Sequence, residues 1–101
     1  MLTIICKDNR QELSFESVDK LTVLNATRVK EELNNLLSKE NAHLILNMEN
    51  IKYIDSTGIG VLISALKKSY ENNSTFLISN VNKDVMNLLK IMKLDKVFNI
   101  V

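Results

Sequence analysis

The densest group of chemistry-bearing residues in the chain is residues 55–60, DSTGIG, where Asp55 is followed by the hydroxyls of Ser56 and Thr57 and then by Gly58 and Gly60. The sequence has only two glycines, and both fall here. An apolar run enters the stretch and a helical pattern leaves it, so these hydroxyls stand where a helix begins. A helix start carries free N–H groups and the positive end of a dipole, and a hydroxyl there either caps the helix or sits ready to carry an anion. Glycine removes the side chain where another backbone or a ligand comes close, and it relaxes the backbone at a strand-to-helix turn. The plain structural reading is therefore a cap with packing glycines. The functional reading is a hydroxyl placed for modification.

Other chemistries lack their residues. Serine hydrolysis needs a base and an orienter for that base. His43 is the one histidine, remote from Ser56, and Ser56 lacks the G-x-S-x-G elbow. No His/Asp/Glu grouping has metal-ligand spacing, and no Gly-Lys-Ser/Thr follows the motif to make a phosphate loop. The expectation is a binding protein with no catalytic residue, metal or cofactor.

Phosphorylating Ser56 would add about 1.5 to 2 negative charges and three acceptor oxygens. The helix dipole tolerates that charge and Asp55 repels it. A partner docked over Gly58 and Val61 would have to desolvate it, at a cost of several kcal/mol. Along the helix of residues 57–71, Ile59, Leu62, Ile63, Leu66 and Tyr70 are expected on the buried face. The opposite face carries Thr57, Val61, Ser64 and Lys68, flanked by Gly60 and Ala65. That low, partly apolar surface suits docking by another protein.

The elements that position this motif follow from length and periodicity. At 101 residues, with 46% hydrophobic and 25% charged residues, the chain is expected to form one domain over residues 1–101. A net charge of +1 and few aromatic residues argue against nucleic acid as a partner. Cys6 alone excludes an internal disulfide, and it is expected as a buried strand residue. The N-terminal residues lack a signal-peptide pattern, and no apolar run reaches the roughly 20 residues of a membrane span. A cytoplasmic protein without direct membrane insertion is expected.

Residues 2–6 (LTIIC) read as a strand, Asp8-Asn9 as turn chemistry, and residues 12–17 as a second strand forming an antiparallel hairpin. Residues 21–24 form another apolar stretch. Asn25 is placed to cap a helix to about Ser38, with Val29, Leu33, Leu36 and Leu37 on its buried face. Residues 44–46 extend toward Met48 as a strand, and residues 49–53 lead into the motif. Asn72-Asn73 supplies a turn, since asparagine tolerates the left-handed region. Residues 75–79 (TFLIS) follow as a strand. Asn80 or Asn82 caps a third helix carrying Val85, Leu88, Leu89 and Met92, and residues 96–101 add a short strand or an apolar tail. A helix between extended segments implies a crossover and parallel pairing.

The strand of residues 44–46, the run of residues 51–54, and Asp55-Ser56-Thr57-Gly58-Ile59-Gly60-Val61-Leu62 resemble the STAS domain family, within it the stand-alone anti-sigma factor antagonists of bacteria. Leu24-Asn25-Ala26-Thr27 is similar to the Leu-Asp-Ala-x that precedes the family's first helix. Asn25 departs from the Asp of many members, a glycine shortly before it is missing, and the glycine common after the third helix is replaced around residues 92–94. The resemblance implies an α/β fold, a mixed sheet with helices packed mainly on one face.

It also implies partner switching. The unphosphorylated protein binds a cytosolic anti-sigma factor that is also a serine kinase, the kinase phosphorylates Ser56 with ATP, and a serine phosphatase restores binding. Asp55 would help shape the site, while Asn25, Thr57, Gly58, Gly60, Val61, Ser64 and Lys68 would meet the partner. Two alternatives stay open: a constitutive subunit of a lipid-transport or other ATPase complex, and a nucleotide-binding or weakly hydrolytic module.

Overall fold

Leu13 and Phe15 alternate with Glu12 and Ser14, the period of a strand with one buried face. The computed structural model, which describes residues 2–7 and 10–101, builds that strand and its neighbours into two sheets. Strands β1 (Leu2–Lys7) and β2 (Arg10–Phe15) pair antiparallel, with Leu2 opposite Phe15 and Lys7 opposite Arg10. The Asp8-Asn9 turn and the burial of Cys6 lie outside the described residues. The chain continues through β3 (Lys20–Leu21), α1 (Ala26–Leu37), β4 (His43–Asn47), β5 (Tyr53–Ile54) and α2 (Ser56–Glu71). It closes with β6 (Thr75–Ser79), α3 (Lys83–Ile91) and β7 (Asn99–Ile100).

The larger sheet has the order β1-β2-β4-β6-β7, and every pair after the first is parallel. Each parallel step contains one helix, and the steps all move toward the same edge. Right-handed crossovers taken in one direction place their helices on one face. The register accordingly aligns Leu13 with Leu46, Leu44 with Phe76, and Leu46 with Ile78 on the buried face. These residues share a core with Val29, Leu33 and Leu37 of α1, Ile59, Leu62 and Leu66 of α2, and Val85 and Leu89 of α3. The opposite face carries Glu12, Ser14, Asn47 and Leu77, all partly exposed, around a buried Ile45.

Several expectations need correction. Within residues 21–24 only Leu21 is buried; Val23 and Leu24 lie exposed in the loop before α1. Tyr70 is 66% exposed, because Ala65 and Ser69 continue the buried face of α2, while Ile63 is partly buried against the core. Met92 lies past the end of α3 and is exposed. Neither Asn25 nor Asn82 caps its helix through the side chain. The Asn82 Nδ2 instead donates to the carbonyls of Glu49 (3.0 Å) and Ile51 (2.6 Å), fastening the start of α3 to the segment before β5.

Neither glycine has a positive φ; Ser17, Asn41, Asn73, Asn80 and Lys93 take the left-handed positions instead. Asn73, with φ of 53°, fills the turn expected at Asn72-Asn73. Lys93, with φ of 59°, closes α3 where a glycine is usual: the Leu94 N–H donates to Leu89 O and the Lys93 N–H to Lys90 O.

Candidate functional site

The start of α2 is held from below by the small sheet. β3 and β5 pair parallel, Lys20 with Tyr53 and Leu21 with Ile54. The Lys52 N–H donates to Asp19 O (2.8 Å) and the Asp55 N–H to Leu21 O (3.2 Å), which extends the ladder at both ends. Asp55 thus leaves β5 extended and becomes the N-cap of α2, its Oδ1 accepting from the Gly58 N–H at 2.8 Å. Its second oxygen, Oδ2, accepts from the Val23 N–H at 3.0 Å. The carboxyl is held below its ordinary range, chiefly by the Gly58 N–H; partial burial opposes this, and the Val23 and Thr57 N–H groups reinforce it.

Gly58 is buried, and the reason is steric. A Cβ there would lie 2.7 Å from Ile54 Cγ1 and closer still to the Leu21 carbonyl oxygen. The missing side chain lets α2 start directly against β3. Gly58 is therefore not a surface for a partner, and it contributes close approach rather than backbone freedom. Val61 is also corrected: it is 4% exposed and belongs to the core, because on its side of the helix α1 packs against α2, whereas Thr57, Gly60, Ser64 and Lys68 of the same expected face keep some exposure.

Asn25 is half-buried and spent locally. Its Oδ1 accepts from the Thr22 N–H (3.0 Å) and its Nδ2 donates to Lys20 O (2.8 Å), so the side chain braces the loop between β3 and α1. Asp55 likewise has both oxygens engaged. The residues left facing outward are Ser56, Thr57 and Gly60, with Ser64 and Lys68 half-buried along the same helix. Ser56 is the first residue of α2, and its hydroxyl has no hydrogen-bond partner among the described residues. An unbonded hydroxyl at a helix N-terminus is accessible to a modifying enzyme, and the N–H groups around it favour an anion.

Two sets of residues escaped the sequence reading. Val23 and Leu24 are 66% and 93% exposed, and the bond from Val23 to Asp55 fixes their loop beside Ser56. The signal was present: residues 21–24 are apolar, yet no strand-length alternation continues there to bury them. Thr27, Lys30 and Asn34 of α1 form a stripe at i, i+3, i+7 that borders a groove against α2. Ala26, Thr27 and Lys30 face Thr57, Gly60 and Val61 across its first half, and Asn34 faces Gly60, Ser64 and Lys68 across its second. Gly60 is common to both halves, and a Cβ there would meet nothing within 4 Å.

His43 lies at the N-terminal end of β4, where its Nδ1 and Thr75 Oγ1 are 2.9 Å apart; α2 begins beyond the other end of that strand. Among the described residues no group of three or more His, Cys, Asp or Glu is placed to hold a metal ion, and no helix is long and apolar enough to cross a membrane.

A mixed sheet with its helices gathered on one face, and a strand-capped helix opening on DSTGIG, define a recognised class of domain. The STAS domain family model matches residues 7–101, and the chain belongs to that family. It is 22% identical over 99 residues to the anti-sigma-B factor antagonist of Bacillus subtilis strain 168, covering 98% of this chain and 90% of that one. The anti-sigma-factor antagonist (STAS) domain protein of Planctomyces limnophilus superposes with a TM-score of 0.88 at 14% identity, covering 98% of this chain and 87% of that one. The anti-sigma factor antagonist SpoIIAA in its unphosphorylated form superposes with a TM-score of 0.76 at 10% identity, covering 100% and 88%.

Proposed function

We propose that this chain is an anti-sigma factor antagonist. It binds an anti-sigma factor that is also a serine kinase, and phosphorylation of Ser56 releases it, so that sigma-factor-dependent transcription is set by partner switching in the cytoplasm. A serine phosphatase returns it to the binding form. The observation that carries this reading is the exposed Ser56 hydroxyl on the first residue of α2, without a hydrogen-bond partner among the described residues and beside the outward-facing Val23 and Leu24. The curated relative named as an anti-sigma-B factor antagonist, similar along nearly the whole chain, supports the role.

The switch works by desolvation. Val23, Leu24, Thr57 and Gly60 offer a partner a surface that is apolar or small around one hydroxyl. A phosphate in its centre would be buried on docking, and an uncompensated buried charge costs about 3–5 kcal/mol, about a hundredfold or more in affinity. Within the free protein the same phosphate sits at the positive end of α2, so the fold tolerates it. The test is incubation with ATP and a purified anti-sigma factor kinase from the source bacterium, with the phosphate located by mass spectrometry. Phosphate on Ser56 is expected; phosphate elsewhere, or none, contradicts the assignment.

A further inference from the structure

Two clefts beside α2, one facing Ala26, Thr27 and Lys30 of α1 and the other Asn34, meet at Gly60, and their α2 lining runs from Thr57 to Glu71, 14 residues of helix and therefore about 21 Å at about 1.5 Å per residue. They stay open because α2 presents Gly60 and Ser64 where larger residues would fill them. Lys30 stands on the α1 side, and Lys67 and Lys68 stand on the α2 side. None of the three has an ion-pair or hydrogen-bond partner among the described residues. Among the described residues that line the groove, Glu71, at the end away from Ser56, is the only carboxylate. A chain with a net charge of +1 thus gathers three cations without a partner among the described residues around one trough, whose near end is lined by Thr57, the neighbour of Ser56.

We propose that this trough receives an acidic segment of the partner protein, about the length of a four-turn helix, whose carboxylates meet Lys30, Lys67 and Lys68. The proposal deepens the partner-switching reading and rests on it for the partner's identity. Gly60 lets the incoming backbone or a small side chain come close where a Cβ would hold it off. Nucleic acid fits less well. The trough has no aromatic residue on which bases stack, and three lysines are fewer than the roughly 6–10 phosphate contacts of a DNA-binding surface. A phosphate on Ser56 would stand at the mouth of the trough and repel the same carboxylates, which adds a charge term to the desolvation already described.

The test uses the isotopically labelled full chain in two-dimensional NMR, titrated at low salt with a four-turn helical peptide of Glu, Ala and Leu. The same peptide with Lys for Glu, and a short duplex DNA, are titrated in parallel. The acidic peptide is expected to shift the amides of Asn34, Gly60, Ser64 and Lys68, and high salt should suppress the effect. Binding should weaken by more than about tenfold in the Lys67→Glu/Lys68→Glu variant, where like charges then face each other. Lys30→Glu serves as a second variant if the first fails to keep the wild-type spectral dispersion. No shifts, equal shifts with the basic peptide, shifts elsewhere, or the same shifts with DNA would each overturn the proposal.

Binding of the purified kinase separates the two readings. Loss in Ser56→Asp with full binding in Lys67→Glu/Lys68→Glu keeps the switch and rejects the trough. Mapping of the acidic peptide to the trough, with kinase binding indifferent to both variants, keeps the trough and rejects the kinase as its partner.

Discussion

The Val23 N–H donates to Asp55 Oδ2 at 3.0 Å, across 32 residues of sequence, while Asp55 Oδ1 caps α2 through Gly58. One carboxylate therefore fixes both the helix that begins at Ser56 and the exposed apolar loop beside it. Asp55 touches no partner in this account. It acts by holding Ser56, Val23 and Leu24 in one surface.

The two glycines should respond in opposite ways. Gly58→Ala drives a methyl group into the Leu21 carbonyl, a backbone atom that yields only if β3 shifts, and should cost about 1–3 kcal/mol. Gly60→Ala meets open space inside a helix and should stabilise by about 0.5–1 kcal/mol. Urea denaturation of both variants reads the difference in sign, and Gly60→Ala should still bind the kinase more weakly, because its methyl group intrudes on the docking surface.

Asp55 sets a pH dependence. Its folded pKa is depressed, so its contribution to stability is complete above the unfolded value of about 3.9 and is lost as pH falls through the lower folded value. Asp55→Asn keeps an acceptor but does not titrate. Urea midpoints of the wild type should therefore fall more steeply than those of Asp55→Asn on acidification below about pH 4, with both flat across neutral pH as far as this group is concerned. Parallel slopes below that pH would remove Asp55 from the account.

At the end of α3, Lys93 carries a side chain in the left-handed region where the closing hydrogen bonds demand it. Lys93→Gly should raise stability by about 1 kcal/mol, seen as a higher urea midpoint with an unchanged slope.

Leu24 has almost no contact to lose on the free protein. Leu24→Ser should leave the urea midpoint within about 0.5 kcal/mol of wild type and weaken kinase binding by about tenfold, the cost of truncating one apolar anchor of about 1.4 kcal/mol. Calorimetric titration of wild type and variant checks this directly.

The fold was legible where periodicity is strong. Val29 and Leu33 of α1, Leu13 and Phe15 of β2, and the apolar β4 and β6 announce their elements and their inner faces. The face of α2 was not legible, because Ile59, Val61, Leu62, Ile63, Ala65 and Leu66 surround most of the helix. Two neighbours, the sheet and α1, bury different parts of it, so Val61 went inward and Tyr70 outward. Asn25 and Asn82 looked like caps by position, yet their amides serve carbonyls brought close only by the tertiary fold. Asp55-Ser56 was readable as a helix start, but the outward turn of Val23 and Leu24 depends on a bond 32 residues away.

The most direct test is the affinity of the purified anti-sigma factor kinase for the wild-type chain, for the chain phosphorylated on Ser56, and for Ser56→Asp, measured with proteins whose circular dichroism shows the same fold. The account predicts binding by the wild type and a loss of about a hundredfold or more in both charged forms. Equal affinity for all three would contradict it and point to a constitutive docking subunit in which Ser56 is only part of the helix start.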